Sequence, residues 1–180
     1  MVKEVIESYV DAAERIQRAG LDGAEVLAGQ GMLHPQFLNP NTNHRTDEYG
    51  SSSENRLRFL REMLAGIRAR VGAGFALGIG VTTDEKDFDG LTPELVLDML
   101  WALESDGVLD FYDVAAGTAA GPAGQSHVVA PMTLDTSYVP CTGARSSPLC
   151  LNPCSSVVVE STNLRWPSRY WAMARQTCVA

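Results

Sequence analysis

The first 139 residues contain no cysteine, and the whole 180-residue chain has three histidines and only 14 basic side chains against 22 acidic ones. Without thiols, those 139 residues hold no disulfide framework and no thiolate metal site. A formal charge of −8 at pH 7 argues against a nucleic-acid partner, because neutralising phosphates requires clustered Lys and Arg. Long apolar runs are missing too. None reaches the length that spans a bilayer, and "MVKEVIESYV" has none of the three parts of a signal peptide. The expectation is a cytoplasmic protein with no membrane partner. What is present is an ordinary globular composition, 45% hydrophobic and 20% charged, on a chain long enough for one domain with a real core.

The scarcities change sides at residue 139. Residues 1–139 carry 21 acidic and 10 basic side chains, whereas residues 140–180 carry one acidic and four basic, and all four cysteines: Cys141, Cys150, Cys154 and Cys178. A disulfide framework or metal site is one reading of that clustering. The spacing fits neither a paired CxxC nor a Cys/His zinc pattern, so no metal is expected.

Before the seam, one theme repeats. "KEVIESYVDAAERIQRAG" places Val5, Ile6, Tyr9, Ala13 and Ile16 on one helical face, with Gly20 as a C-terminal stop. "GAEVLA" is a short buried strand. Ser53 is placed to cap a second helix with Leu57, Leu60, Met63, Leu64, Ile67 and Val71 as its apolar stripe. "GFALGIGV" is a second strand, Thr92, Pro93 and Glu94 start a third helix that runs to about Ser105, and "LDFYDVAAG" is a third strand. Helices alternating with strands, without hairpin signals, predict parallel strands joined by crossover helices. Chemistry in such folds sits at the carboxyl ends of the strands, here the loops after Ala28, Val81 and Ala116. "AGTAAGPAGQ" is expected to be a loop with no properly started helix after it, hence not a nucleotide fingerprint. Beyond Pro140 no helical or strand period survives past "SSVVVE".

The loop after Ala28 is the longest, and it carries the most specific signal. The stretch "AGLDGAEVLAGQGMLHPQFLNPNTNHRTDEYGSSSENRLRFLREML", with its "QFLNP" and "RTD-YG---ENR" elements, resembles the Old Yellow Enzyme family of FMN-dependent oxidoreductases, in the trimethylamine-dehydrogenase branch. The resemblance covers about residues 3–138. It implies an α/β fold, a partial (β/α)8 barrel with about strands four to six and their helices, followed by an irregular tail. It also implies FMN as cofactor, with NAD(P)H and a small-molecule substrate as partners.

Carried over residue by residue, the resemblance implies losses. The family places paired imidazole or amide donors and a tyrosine over the flavin; those positions hold Leu27, Gln30 and Met32. Leucine donates no hydrogen bond and methionine is no acid, so Gln30 is the one remaining candidate catalytic residue, an amide able to orient a substrate. The family's flavin-facing Arg falls on Gly80, which removes a fixed positive charge that stabilises reduced flavin. Arg45, Thr46, Asp47 and Tyr49 match the pattern, with Arg45 and Asp47 pinning the loop and Asn55 and Arg56 opening the next helix.

The tail reads differently in a shifted frame. Taking the third base of each codon with the first two of the next, Trp166-Pro167 forces alanine and Tyr170-Trp171 forces leucine. Trp171-Ala172 and Met173-Ala174 each force glycine, and Gln176-Thr177 permits only Asn or Asp. With permitted choices elsewhere, residues 159–180 can hide "RINQPALAEQVLGDGPADMCG", which resembles the family's seventh strand exit and the helix and strand after it. Residues 1–139 are therefore expected to be a partial FMN-oxidoreductase barrel, and 140–180 an out-of-frame or disordered tail. The expected function is an FMN-dependent oxidoreductase of the NADH:flavin oxidoreductase/NADH oxidase type, truncated and weakly active or inactive. The alternative is a non-catalytic remnant of a degraded gene. A lyase acting on a phosphorylated metabolite is a weaker reading, since nothing supplies its Schiff-base lysine or metal cluster.

Overall fold

A computed structural model of the chain describes residues 1–128 and 157–160. The elements run α1 (Val2–Arg18), β1 (Gly23–Leu27), α2 (Leu33–Leu38), α3 (Ser53–Val71), β2 (Ala76–Thr82), α4 (Pro93–Asp106), β3 (Phe111–Ala115), α5 (Pro122–Val128) and β4 (Val157–Glu160). They form one sheet of order β1-β2-β3-β4. β1, β2 and β3 are parallel, as the alternation of helices and strands predicts, with Leu27 opposite Gly80 and Gly80 opposite Asp113.

β4 runs antiparallel to β3, pairing Phe111–Val114 with residues 160–157. Three unaided strands would leave two open edges. Here β3 is covered, and the outer edges of the sheet among the described residues are those of β1 and β4. Four residues of the segment expected to be an irregular tail thus join the sheet; its cysteines and the remainder lie outside the described residues.

Two helix starts differ from expectation. The cap of α3 is Ser52, not Ser53: the Ser52 hydroxyl accepts a hydrogen bond from the Asn55 amide at 3.1 Å, which places Ser53 inside the first turn. Thr92 occupies the cap position of α4, but its side chain makes no capping bond, leaving Pro93 and Glu94 to favour the start. The "AGTAAGPAGQ" stretch also departs from the predicted loop, because Pro122 begins the seven-residue α5. Proline at a first helical turn needs no amide partner, which offsets the poor propensity of the neighbouring glycines.

Strand alternation sorts the sheet into two faces. Leu77, Ile79 and Val81 of β2, Val26 and Ala28 beside them, and Tyr112 and Val114 of β3 are buried in the same core as Leu60, Met63, Leu64 and Ile67 of α3 and Val96 and Leu103 of α4. α1 lies on α3 at close range: a Cβ on Gly66 would stand 2.9 Å from Val10 Cγ2. Arg70 of α3 reinforces the contact, reaching Glu7, Asp11 and Glu14 of α1. Arg68 does more. It pairs with the Asp110 carboxylate at 2.6 Å and donates to the carbonyls of Gly72, Phe75 and Val108, tying the end of α3 to the starts of β2 and β3. The opposite face of the sheet carries Glu25, Leu27, Gly78, Gly80, Phe111 and Asp113, and Leu27 is 45% exposed.

Candidate functional site

The carboxyl ends of β1, β2 and β3 meet at Gln30. Its amide donates to Thr82 Oγ1 at 2.8 Å, its carbonyl accepts from the Ala119 amide at 3.1 Å, and it bridges to Thr118. Held from both sides, Gln30 has a φ of 59°, a left-handed conformation that costs a non-glycine residue energy. Gly31 follows at φ 72°, where a Cβ would fall 2.3 Å from Thr118 Oγ1. The main chain of the predicted catalytic residue is therefore locked by three strand ends, and its carboxamide makes no hydrogen bond to another described residue.

Met32 lies just beyond, 44% exposed, as the cap residue of α2 without a capping side chain. α2 is seated by His34, which is buried against Phe59 with ring centroids 5.1 Å apart and edge-on to Tyr9 at 5.3 Å. His34 Nδ1 stands 3.0 Å from the Leu27 carbonyl, which can only accept, so Nδ1 carries the proton. Nε2 faces Met63 Sδ at 3.3 Å, and burial pulls the imidazole below its ordinary pKa.

The long loop is ordered as the motif predicts. Arg45 and Asp47 form an ion pair, Asp47 Oδ1 also accepts from the Tyr49 amide at 3.1 Å, and Asn43 donates to the carbonyls of Phe37 and Tyr49. Arg56 donates to the Leu38 and Ser51 carbonyls. These are loop-building roles. None aims a charge at the strand ends.

The structure brings two of the sequence-predicted residues, Leu27 and Gly80, into one register step on the open face, while Gln30 and Met32 stand in the loop above. It adds two residues that motif matching overlooked. Glu25 and Asp113 are the carboxylates in β1 and β3 on that same face, and the Glu25 Oε1 atom lies 2.5 Å from where a Cβ on Gly80 would be. Partial burial and the nearby Asp113 charge push the Glu25 carboxyl above its ordinary range. Burial does the same to Asp113, whose Oδ1 is buried without a hydrogen-bond partner among the described residues. The signal was present in the sequence: one acid in each of two otherwise apolar strands, in phase with the alternation.

A cavity of about 300 Å³ opens beside Gln30, lined by Gly31, Gln36, Asn39, Glu85, Asp87 and Asp89 among others. No lysine or arginine lines it. Lys86, in the same loop, pairs with Asp84 at 2.7 Å. The described strand ends therefore present carboxylates and amides, and no group of three or more His, Cys, Asp or Glu that would hold a metal.

Comparison with known proteins gives a consistent neighbourhood. The model of the NADH:flavin oxidoreductase / NADH oxidase family matches residues 1–102. The NADH-dependent flavin oxidoreductase nadA of Aspergillus parasiticus is 38% identical over 116 residues, 64% of this chain and 26% of that protein. Among solved structures, a 2-naphthoyl-CoA reductase complex superposes with a TM-score of 0.64 at 34% identity, covering 67% of this chain and 18% of that one. Histamine dehydrogenase from Rhizobium sp. 4-9 gives 0.59 at 35% identity, covering 66% and 17%. The chain spans between 16% and 26% of the length of the first three curated relatives.

Proposed function

Because the chain belongs to the NADH:flavin oxidoreductase / NADH oxidase family, we propose that it is a middle segment of an FMN-dependent oxidoreductase barrel, about strands four to six, weakly active or inactive as it stands. FMN is the cofactor of the family, and when bound it supplies hydride acceptance and donation. The described residues do not fit it. A reduced flavin is an anion, and the position that would answer that charge is Gly80, with Glu25 and Asp113 beside it instead of a cation. That juxtaposition is the observation on which the reading rests.

Gln30 is the residue left to act on a substrate. Its backbone is fixed by Thr82 and Ala119, so its carboxamide is presented from a rigid platform, able to donate to a substrate oxygen. Leu27 and Met32 offer neither a hydrogen bond donor nor a proton. Substrate orientation without proton transfer is what this set supports.

The compositional break at residue 139 and the forced letters in the shifted frame support reading 140–180 as an out-of-frame segment. Sequencing the coding DNA tests it: the second frame is expected to run without stop codons through the hidden motif, and a stop codon there ends the idea. Activity is tested on the purified chain. FMN is expected to separate from it on gel filtration, with no NAD(P)H-dependent loss of the visible flavin band. A yellow, stoichiometric complex that bleaches with NAD(P)H would overturn the inactive reading.

A further inference from the structure

We propose that His34 is an acid-sensitive latch: a second proton on its ring unseats the first turn of α2 and releases the Gln30 loop from the strand ends. Three elements close on this one side chain, which is 1% exposed. Its Nδ1–H donates to the Leu27 carbonyl at 3.0 Å, joining α2 to the carboxyl end of β1. The ring stacks on Phe59 of α3 at 5.1 Å and meets Tyr9 of α1 edge-on at 5.3 Å. Nε2, which holds no proton in this tautomer, faces Met63 Sδ of α3 at 3.3 Å.

A second proton goes to Nε2, where a thioether is a weak acceptor. Tyr9, Phe59, Met63 and the Leu27 carbonyl face the ring, and none of them carries a charge to balance an imidazolium. Farther out, past Phe37 and Tyr49, Lys3 of α1 and Glu62 of α3 pair with each other at 2.7 Å. The buried cation would therefore lose its hydration without gaining a carboxylate. Burial already holds the imidazole below its ordinary pKa. The segment that yields is α2, with six residues against 17 in α1 and 19 in α3, and with no capping side chain at Met32. Its far end stays anchored, since Asn39 donates to the Asp89 carbonyl at 2.7 Å and Arg56 to the Leu38 carbonyl at 2.9 Å. The first turn is thus the part free to swing. Between that turn and β1 lies Gln30 at φ 59°, a strained conformation that persists only while both ends of its loop are fixed.

The test is residue-resolved amide exchange by NMR on the whole chain, with protection factors corrected for the intrinsic pH dependence of exchange. The open form binds the proton more tightly than the latched one, so opening grows as the pH falls through 6.5. Between about pH 7.5 and 5.5 the amides of Gln30, Met32 and Gln36, bonded to Thr82 Oγ1 and to the Gly29 and Met32 carbonyls, are expected to lose protection by up to about tenfold. Leu60 and Leu64 of α3 are expected to keep theirs. His34→Asn places an amide where Nδ1 stands, keeps a donor for the Leu27 carbonyl and cannot titrate, so its α2 protection is expected to be flat across the same window. Constant protection of the three amides in the wild-type chain overturns the proposal. So do parallel losses in α2 and α3, or an unchanged pH dependence in folded His34→Asn. If that variant does not fold, the wild-type comparison of α2 with α3 decides alone. Neither flavin nor substrate enters the measurement, so its outcome is separate from that of the proposed function.

Discussion

The two faces of β2 alternate residue by residue, yet they are built from opposite materials. On one side Leu77 and Ile79 are fully buried beneath α3 and α4; on the other Gly78 and Gly80 carry no side chain, and the Phe111 ring lies over the first and the Glu25 carboxylate over the second. Every second residue serves the core and every second one serves the open face. A strand can therefore lose its chemistry on one side while keeping its packing on the other. Glycine on that face costs the core little, since the face carries little of it.

Mutations can sharpen this contrast, beginning with the packed side. Phe59→Ala removes a ring that is 1% exposed and stacks on His34 and Phe37 at 5.1 and 4.5 Å. The loss expected in urea unfolding is about 3–5 kcal/mol. Acid should then divide the two sides by sign. His34 titrates below its ordinary value of 6.5 in the folded chain, so the unfolded chain binds the proton first. Stability on its account is present above that pH and falls as the pH drops through it. Glu25 and Asp113 titrate above their ordinary values, so stability on their account rises as the pH falls toward the usual carboxylate range. Urea midpoints measured across this window should lose the acid-side decline in His34→Gln. They should lose the opposing gain in the Glu25→Gln, Asp113→Asn pair. The smallest effect belongs to Leu27→Ala: with that side chain 45% exposed, the change should stay within about 0.5 kcal/mol. A loss comparable to that of Phe59→Ala would show that the two faces are packed alike.

Local signals carried much of the fold. The apolar stripe of α3 is buried as its spacing predicts, whereas α1 buries Val10, which the predicted stripe omitted, and leaves Val5, Tyr9 and Ile16 only partly covered. That stripe was drawn without a partner, and the close approach of Gly66 in α3 decides which side of α1 goes deepest. The capping residue moved by one, from Ser53 to Ser52, because three consecutive serines offer the same hydroxyl and only the backbone turn chooses among them. α5 was hidden by its Gly and Ala content, and the antiparallel pairing of β4 by its distance along the chain from β3.

The candidate site was legible by position and illegible by company. Matching residues to a motif singled out Leu27, Gln30, Met32 and Gly80 and implied what each position would lack. It did not show that the space above Gly80 is bordered by two acids, because strand register sets that neighbourhood and Glu25, Gly80 and Asp113 lie far apart in sequence. Periodicity and turn chemistry act between residues a few positions apart, so the sequence alone marked α1, α3, α4 and the three parallel strands, while α2 and α5 fell in stretches that read as loops. Charge and contact act through space whatever the sequence separation. Only the folded sheet decided that Glu25 and Asp113 would flank a glycine, and that Gln30 would be clamped by the ends of three strands.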